Sequence, residues 1–133
     1  MSFTGRGRGG RSRRRAHGGR WHVRSRVERF AEPAALLLLH ERPAHGYELL
    51  ERVQELGGES IDMGNLYRVL RALEEEGFVR SEWLSDVPGP ARRSYELTDA
   101  GRELLATWAA SLRETQQHIA LFLERYERGK EVN

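Results

Sequence analysis

Apolar residues are nearly absent from the first twenty positions and then recur with helical spacing through most of the chain. Trp21, Val23, Val27 and Phe30 open the pattern, and their spacing predicts a short helix near 20–30. A longer helix follows, with Pro33 near its start, where the missing N–H costs no hydrogen bond. Ala35, Leu36, Leu37 and Leu39 give it a mostly buried surface, and Arg42-Pro43 ends it. The next helix is expected over about 46–56, with Leu49, Val53 and Leu56 on one face, Leu50 beside them, and Gly57-Gly58 as the stop. A third runs from Asp62, a good N-cap, to Gly77. Its Leu66, Val69, Leu70 and Leu73 must face a core, which leaves Asn65, Arg68 and Arg71 on the other side. Period-two alternation then marks two strands, Phe78 to Leu84 and Ser94 to Thr98, joined by a loop built on Pro88-Gly89-Pro90.

Thr98 and Asp99 suit the start of a last helix reaching about Arg128. Along it Leu105, Trp108, Leu112, Thr115, Ile119, Phe122 and Tyr126 step alternately by three and four, a heptad seam. The body before it is too small to cover so long a helix. A partner helix from a second subunit is the expected cover; the alternative is that the helix folds back on its own domain. The order of elements describes a mainly α fold with a small β-hairpin: a winged helix-turn-helix plus a long C-terminal dimerisation helix. The expected divisions are a basic arm over 1–29, a DNA-binding domain over 30–98 and the dimerisation helix over 99–133.

Charge sharpens this picture. Residues 1–29 hold ten arginines against one acid, Glu28, a net +9; the remainder holds twelve basic and nineteen acidic residues, a net −7. The Gly, Arg and Ser of the first twenty positions cannot bury enough apolar surface to order the segment, so the arm is expected to be disordered in isolation and drawn to polyanions. The absence of cysteine removes disulfides, thiol catalysis and Cys-ligated metals. The longest apolar run, Ala34 to Leu39, is far below the roughly 20 residues of a membrane span. No apolar segment adjoins the basic N-terminus as a secretory signal would require. A cytoplasmic protein associated with the nucleoid, without membrane contact, is the expectation.

Within this frame certain short motifs stand in a definite order. His45-Gly46-Tyr47-Glu48-Leu49 opens the second helix of the body. Gly64-Asn65-Leu66-Tyr67-Arg68-Val69-Leu70, Leu73-Glu74 and Gly77-Phe78-Val79 fill the third and its exit. Gly89-Pro90-Ala91-Arg92-Arg93-Ser94-Tyr95-Glu96-Leu97-Thr98-Asp99-Ala100-Gly101 covers wing, strand and helix start. Together they resemble the PadR family of bacterial transcriptional regulators over about residues 33–108. The resemblance implies a winged-helix domain, a C-terminal dimerisation helix and a palindromic operator, usually bound as a repressor and often released by a small aromatic molecule. The chain has the short form, with one C-terminal helix. It departs from the family at Asn65, where Thr or Ser is common, and at Met63, where Pro is frequent, positions that bear on operator sequence rather than fold.

The candidate DNA-binding residues are Gly64, Asn65, Tyr67, Arg68, Arg92 and Arg93. Gly64 permits close approach to the duplex, Asn65 can pair with adenine and Arg68 with guanine. Tyr67, by resemblance, gives its hydroxyl to a phosphate, or else is a half-buried aromatic. Arg92 and Arg93 at the wing suit phosphates or the minor groove, although alternation points them to opposite faces. Trp83 and Tyr95 are expected in or near the sheet. Leu105, Trp108, Leu112, Ile119 and Phe122 form the dimer seam. Trp108, with Phe30 and Trp21, is the candidate aromatic effector pocket. His40 and His45 lack a third ligand, so no metal or other cofactor is expected, and no catalytic constellation stands out. The rival reading is a nucleoid-associated or RNA-binding protein dominated by its Arg/Gly arm.

Overall fold

The computed structural model describes residues 29–57, 60–83 and 93–132. The basic arm, most of the short helix expected near 20–30, Gly58 and the wing loop over 84–92 lie outside these residues. The elements run in the order α1 (Ala31–Glu41), β1 (Ala44–His45), α2 (Gly46–Glu55), α3 (Met63–Glu75), β2 (Val79–Trp83), β3 (Arg93–Leu97) and α4 (Asp99–Val132).

Helix α1 is the centre of the body. Ala31, Pro33, Ala34, Ala35, Leu36, Leu38 and Leu39 are buried, on every side of the helix. A helix buried over so much of its surface sits inside other elements, with only its end, His40 and Glu41, exposed. Leu49 and Val53 of α2, Leu66, Leu70 and Leu73 of α3, and Val79, Tyr95 and Leu97 of the sheet close around it. Arg52 of α2 reaches back to the end of α1, where Nη2 donates to Glu41 Oε1 at 2.9 Å and to the Leu38 carbonyl at 3.4 Å. Arg42, extended after the helix ends, pairs with Glu48 at 2.7 Å. That hydrogen bond holds the Glu48 carboxyl below the usual carboxylate range.

Two expectations needed correction. The spacing places Leu56 on the buried face of α2, but it is exposed. Leu56 is the C-cap, still in helical conformation with its N–H bonded to the Arg52 carbonyl, but it stands at the helix end where no core side chain covers it. The sheet also has a third strand, β1, paired antiparallel with β3 through Ala44↔Tyr95 and His45↔Ser94, giving the order β1-β3-β2. Two residues cannot display an alternation. The hairpin itself pairs Val79↔Leu97, Ser81↔Tyr95 and Trp83↔Arg93 on one face, Arg80↔Glu96 and Glu82↔Ser94 on the other.

Helix α4 is held to the hairpin at its first turn. Thr98 Oγ1 accepts from the Gly101 N–H at 3.1 Å and donates to the Gly77 carbonyl at 2.6 Å. Gly101 passes so close to the hairpin that a Cβ there would lie 2.1 Å from the Phe78 carbonyl oxygen. At 1.5 Å of rise per residue the helix is about 50 Å long. The expected seam divides along it. Leu104, Leu105 and Trp108 pack on the chain's own core, and Trp108 Nε1 donates to Glu32 Oε2 of α1 at 2.7 Å. Beyond half-buried Leu112 the helix leaves the body: Ile119 is 53%, Phe122 69% and Tyr126 56% exposed.

Candidate nucleic-acid interface

The amphipathic pattern of α3 fixes which side of it meets solvent. Burial of Leu66, Leu70 and Leu73 turns Gly64, Asn65, Arg68 and Arg71 outward. Asp62 caps the helix, its Oδ1 accepting from the Asn65 N–H at 2.8 Å. No acid lies in the first helical turn itself. Arg68, one turn later, donates to the Asn65 side-chain oxygen, so the two polar side chains stand together. Asn65 keeps its amide N–H donors, and Arg68 keeps the rest of its fork for base edges or phosphates. A Cβ on Gly64 would meet only Asp62 Oδ1, at 3.5 Å, so the surface above it is open. The acids Glu74, Glu75 and Glu76 lie at the opposite end of the helix.

Tyr67 belongs partly to the core. It is half-buried against the core cluster, and its hydroxyl approaches that of buried Tyr95. Burial pushes the Tyr95 hydroxyl well above the usual tyrosine range, with Tyr67 adding to the shift. The Tyr95 phenol therefore stays protonated.

The base of the wing is more engaged than its sequence suggests. Arg93 Nη1 donates to Ser81 Oγ at 2.8 Å, and its guanidinium stacks 4.4 Å from the centre of the Trp83 ring. Ser81 Oγ donates in turn to Glu74 Oε2 of α3 at 2.8 Å. Trp83 is 52% exposed, at the edge of the sheet rather than packed within it. On the other face Arg80 pairs with Glu96 at 2.7 Å. Arg92 lies outside the described residues.

Tyr47 is exposed in the first turn of α2, off the buried Leu49–Val53 face. Trp108 and Phe30 both pack against the core cluster, while Trp21 is not among the described residues. An open cleft of about 400 Å³ lies elsewhere, lined by His40, Arg42, Arg80, Glu96, Asp99 and Arg102 among others. Its arginines are paired: Arg42 with Glu48, Arg80 with Glu96, and Arg102 with Asp99 at 2.9 Å. Among the described residues no group of three or more His, Asp or Glu is arranged to hold a metal ion, and no helix is long and apolar enough to cross a membrane.

The model of the transcriptional regulator PadR-like family matches residues 35–107. A protein of Mycobacterium tuberculosis, named as a probable transcriptional regulator, is 33% identical over 79 residues, which are 58% of this chain and 42% of that protein. The match thus spans less than half of that relative. Among solved structures, a conserved protein described as a potential transcriptional factor shares 39% identity over 80% of this chain and 96% of its own, with a TM-score of 0.64. A PadR family transcription regulator from Clostridium difficile has the same fold, with a TM-score of 0.61 and 23% identity over 71% of this chain and 98% of its own.

Proposed function

The chain belongs to the PadR-like family of transcriptional regulators, and from that premise we propose that it is a homodimeric repressor that reads a palindromic operator in duplex DNA. The observation that carries the reading is the exposed, acid-free first turn of α3 with Gly64, Asn65 and Arg68 together on it. In a helix-turn-helix the second helix enters the major groove by its N-terminal end. Asn65 and Arg68 are the base readers, and Gly64 lets the backbone come close. Tyr67 supports the helix from the core side, where its hydroxyl approaches that of Tyr95. Arg92, which precedes β3 in the sequence, holds the backbone.

Two half-sites need two copies of the domain at a set spacing. The exposed Ile119, Phe122 and Tyr126 of α4 supply the reason to pair, since a monomer would leave this apolar face wet. Leu105, Trp108 and Leu112 continue the same seam where it meets the body. The effector, on this reading, is a small aromatic molecule received beside Trp108 and Phe30, with Trp21 as a further candidate. The basic arm adds sequence-independent attraction, because its +9 offsets the −7 of the rest.

Selection of bound fragments from a genomic DNA pool tests the proposal. The expected result is an inverted repeat with half-sites about one helical turn apart. Equal retention of random duplex and single strands would overturn it in favour of the second reading. That reading, a nucleoid-associated or RNA-binding protein led by its arm, is favoured by one observation, the concentration of ten arginines within residues 1–29.

A further inference from the structure

We propose that Arg93 is a positioning residue rather than a phosphate contact, and that Glu74, Ser81, Arg93 and Trp83 form a clamp that sets the wing against the recognition helix. The inference rests on the DNA-binding reading above and deepens it.

The chemistry of the four groups determines the direction of every bond. A guanidinium can only donate, so Ser81 Oγ accepts from Arg93 at 2.8 Å. The single hydroxyl proton is then free to go to Glu74 Oε2, also at 2.8 Å. Glu74 stands in the last turn of α3, Ser81 in the middle of β2 and Arg93 at the first residue of β3. The chain of bonds therefore ties the end of the reading helix to both strands of the hairpin. Trp83 completes it. It lies directly across from Arg93 in the last described rung, and its ring covers one face of the guanidinium at 4.4 Å. Planar stacking and a directed N–H leave Arg93 one orientation, and the Glu74 carboxylate offsets its charge. A second tie lies inward, where Tyr95, the cross-strand partner of Ser81, meets Tyr67 of α3.

A duplex held by both α3 and the wing requires these two elements at a definite separation and angle. The clamp supplies that geometry before DNA arrives, which lowers the ordering cost of binding. A loose salt-bridging side chain at the wing would make a different contribution. It would change the salt dependence of binding and tolerate any cation in its place.

The variants Glu74→Ala, Ser81→Ala, Ser81→Thr, Arg93→Lys and Arg93→Ala, made in the full chain, separate these roles on the selected operator. Loss of one charge-assisted bond in the clamp should weaken binding about five- to tenfold in Glu74→Ala, Ser81→Ala and Arg93→Lys. The salt slope should not change, and Ser81→Thr should bind as the wild type does. Glu74→Ala is the most discriminating, because removing an acid strengthens binding to a polyanion if charge alone matters. The indole N–H resonance of Trp83 reports the clamp without DNA; Ser81→Ala should move it toward its position in Arg93→Ala. Tighter binding by Glu74→Ala would overturn the proposal. So would full affinity in Arg93→Lys together with a salt slope reduced by about one in Arg93→Ala. If wild-type protein retains no duplex at all, the DNA-binding reading fails and the clamp's role on DNA with it. Wild-type binding matched by all five variants removes the clamp alone.

Discussion

Gly101→Ala offers a sharp test of how α4 is seated, because local and tertiary effects have opposite signs. In an isolated helix the change stabilises by roughly 0.5–1 kcal/mol, since glycine loses more backbone freedom than alanine. In this protein the new Cβ would lie 2.1 Å from the Phe78 carbonyl oxygen and 2.6 Å from Leu97 Cδ1. Reaching even 3.0 Å from the oxygen requires a displacement of about 0.9 Å. The obstacle is backbone, and the same carbonyl accepts from the Thr98 N–H at 3.1 Å, so it cannot turn aside freely. Moving the helix instead pulls Thr98 from Gly77 and lifts Leu104, Leu105 and Trp108 from the core. Overpacking of this kind costs about 1–3 kcal/mol, and a backbone clash belongs at the upper end. After subtracting the propensity gain, a net loss of about 2 kcal/mol is expected, equivalent to a fall in Tm of roughly 5–10 °C. Thermal and urea unfolding at one protein concentration measure it, because association would otherwise contribute. Gly64→Ala is the control: its Cβ meets only Asp62 Oδ1 at 3.5 Å, so stability should hold or rise slightly while DNA binding falls. A Gly101→Ala protein that melts at or above the wild type would refute the close approach.

Ile119→Glu with Phe122→Glu should give monomers by analytical ultracentrifugation without unfolding the domain, since both side chains are already exposed in one chain; an unchanged mass would place the dimer contact elsewhere. Arg68→Ala should cost about 1–3 kcal/mol on the operator and relax preference at one base pair, and equal losses on random DNA would show a backbone anchor instead. Deleting residues 1–19 should weaken binding and flatten its salt dependence, with the difference shrinking at high salt; identical salt titrations would exclude the arm from DNA binding. The hydrogen bond from Arg42 depresses the Glu48 carboxyl, so this pair stabilises the fold above the unfolded value near 4.5 and stops doing so as pH falls through the lower folded value. Glu48→Gln should therefore be slightly less stable than wild type at neutral pH and equal to it in acid. The difference is limited to about 1 kcal/mol because the pair is partly exposed, and chemical denaturation across pH 3–7 follows it.

The helices were legible in the sequence because their causes are local. The i, i+3, i+4, i+7 run of Leu66, Val69, Leu70 and Leu73, the Asp62 and Thr98 caps, and Gly77 at φ +86 act within one or two turns. The ordered motifs from His45 to Gly101 likewise pointed to the family whose model matches 35–107. The outward position of Asn65, Arg68 and Arg71 followed from the same periodicity.

Other features depended on which segments meet in space. A heptad seam states that Leu105 through Tyr126 share a face, not what covers it; α1 takes the first part and leaves the part beyond Leu112 open. Leu56 has the right spacing for a buried face and keeps the helical conformation, but it stands at the helix end where nothing covers it. β1 is defined only by its pairing with β3. Arg93 reads as a free cation until the fold brings Ser81, Trp83 and Glu74 to it across gaps of 12, 10 and 19 residues. Periodicity and capping are short-range properties of one segment, whereas hydrogen-bond partners and burial depend on side chains that only chain closure places together.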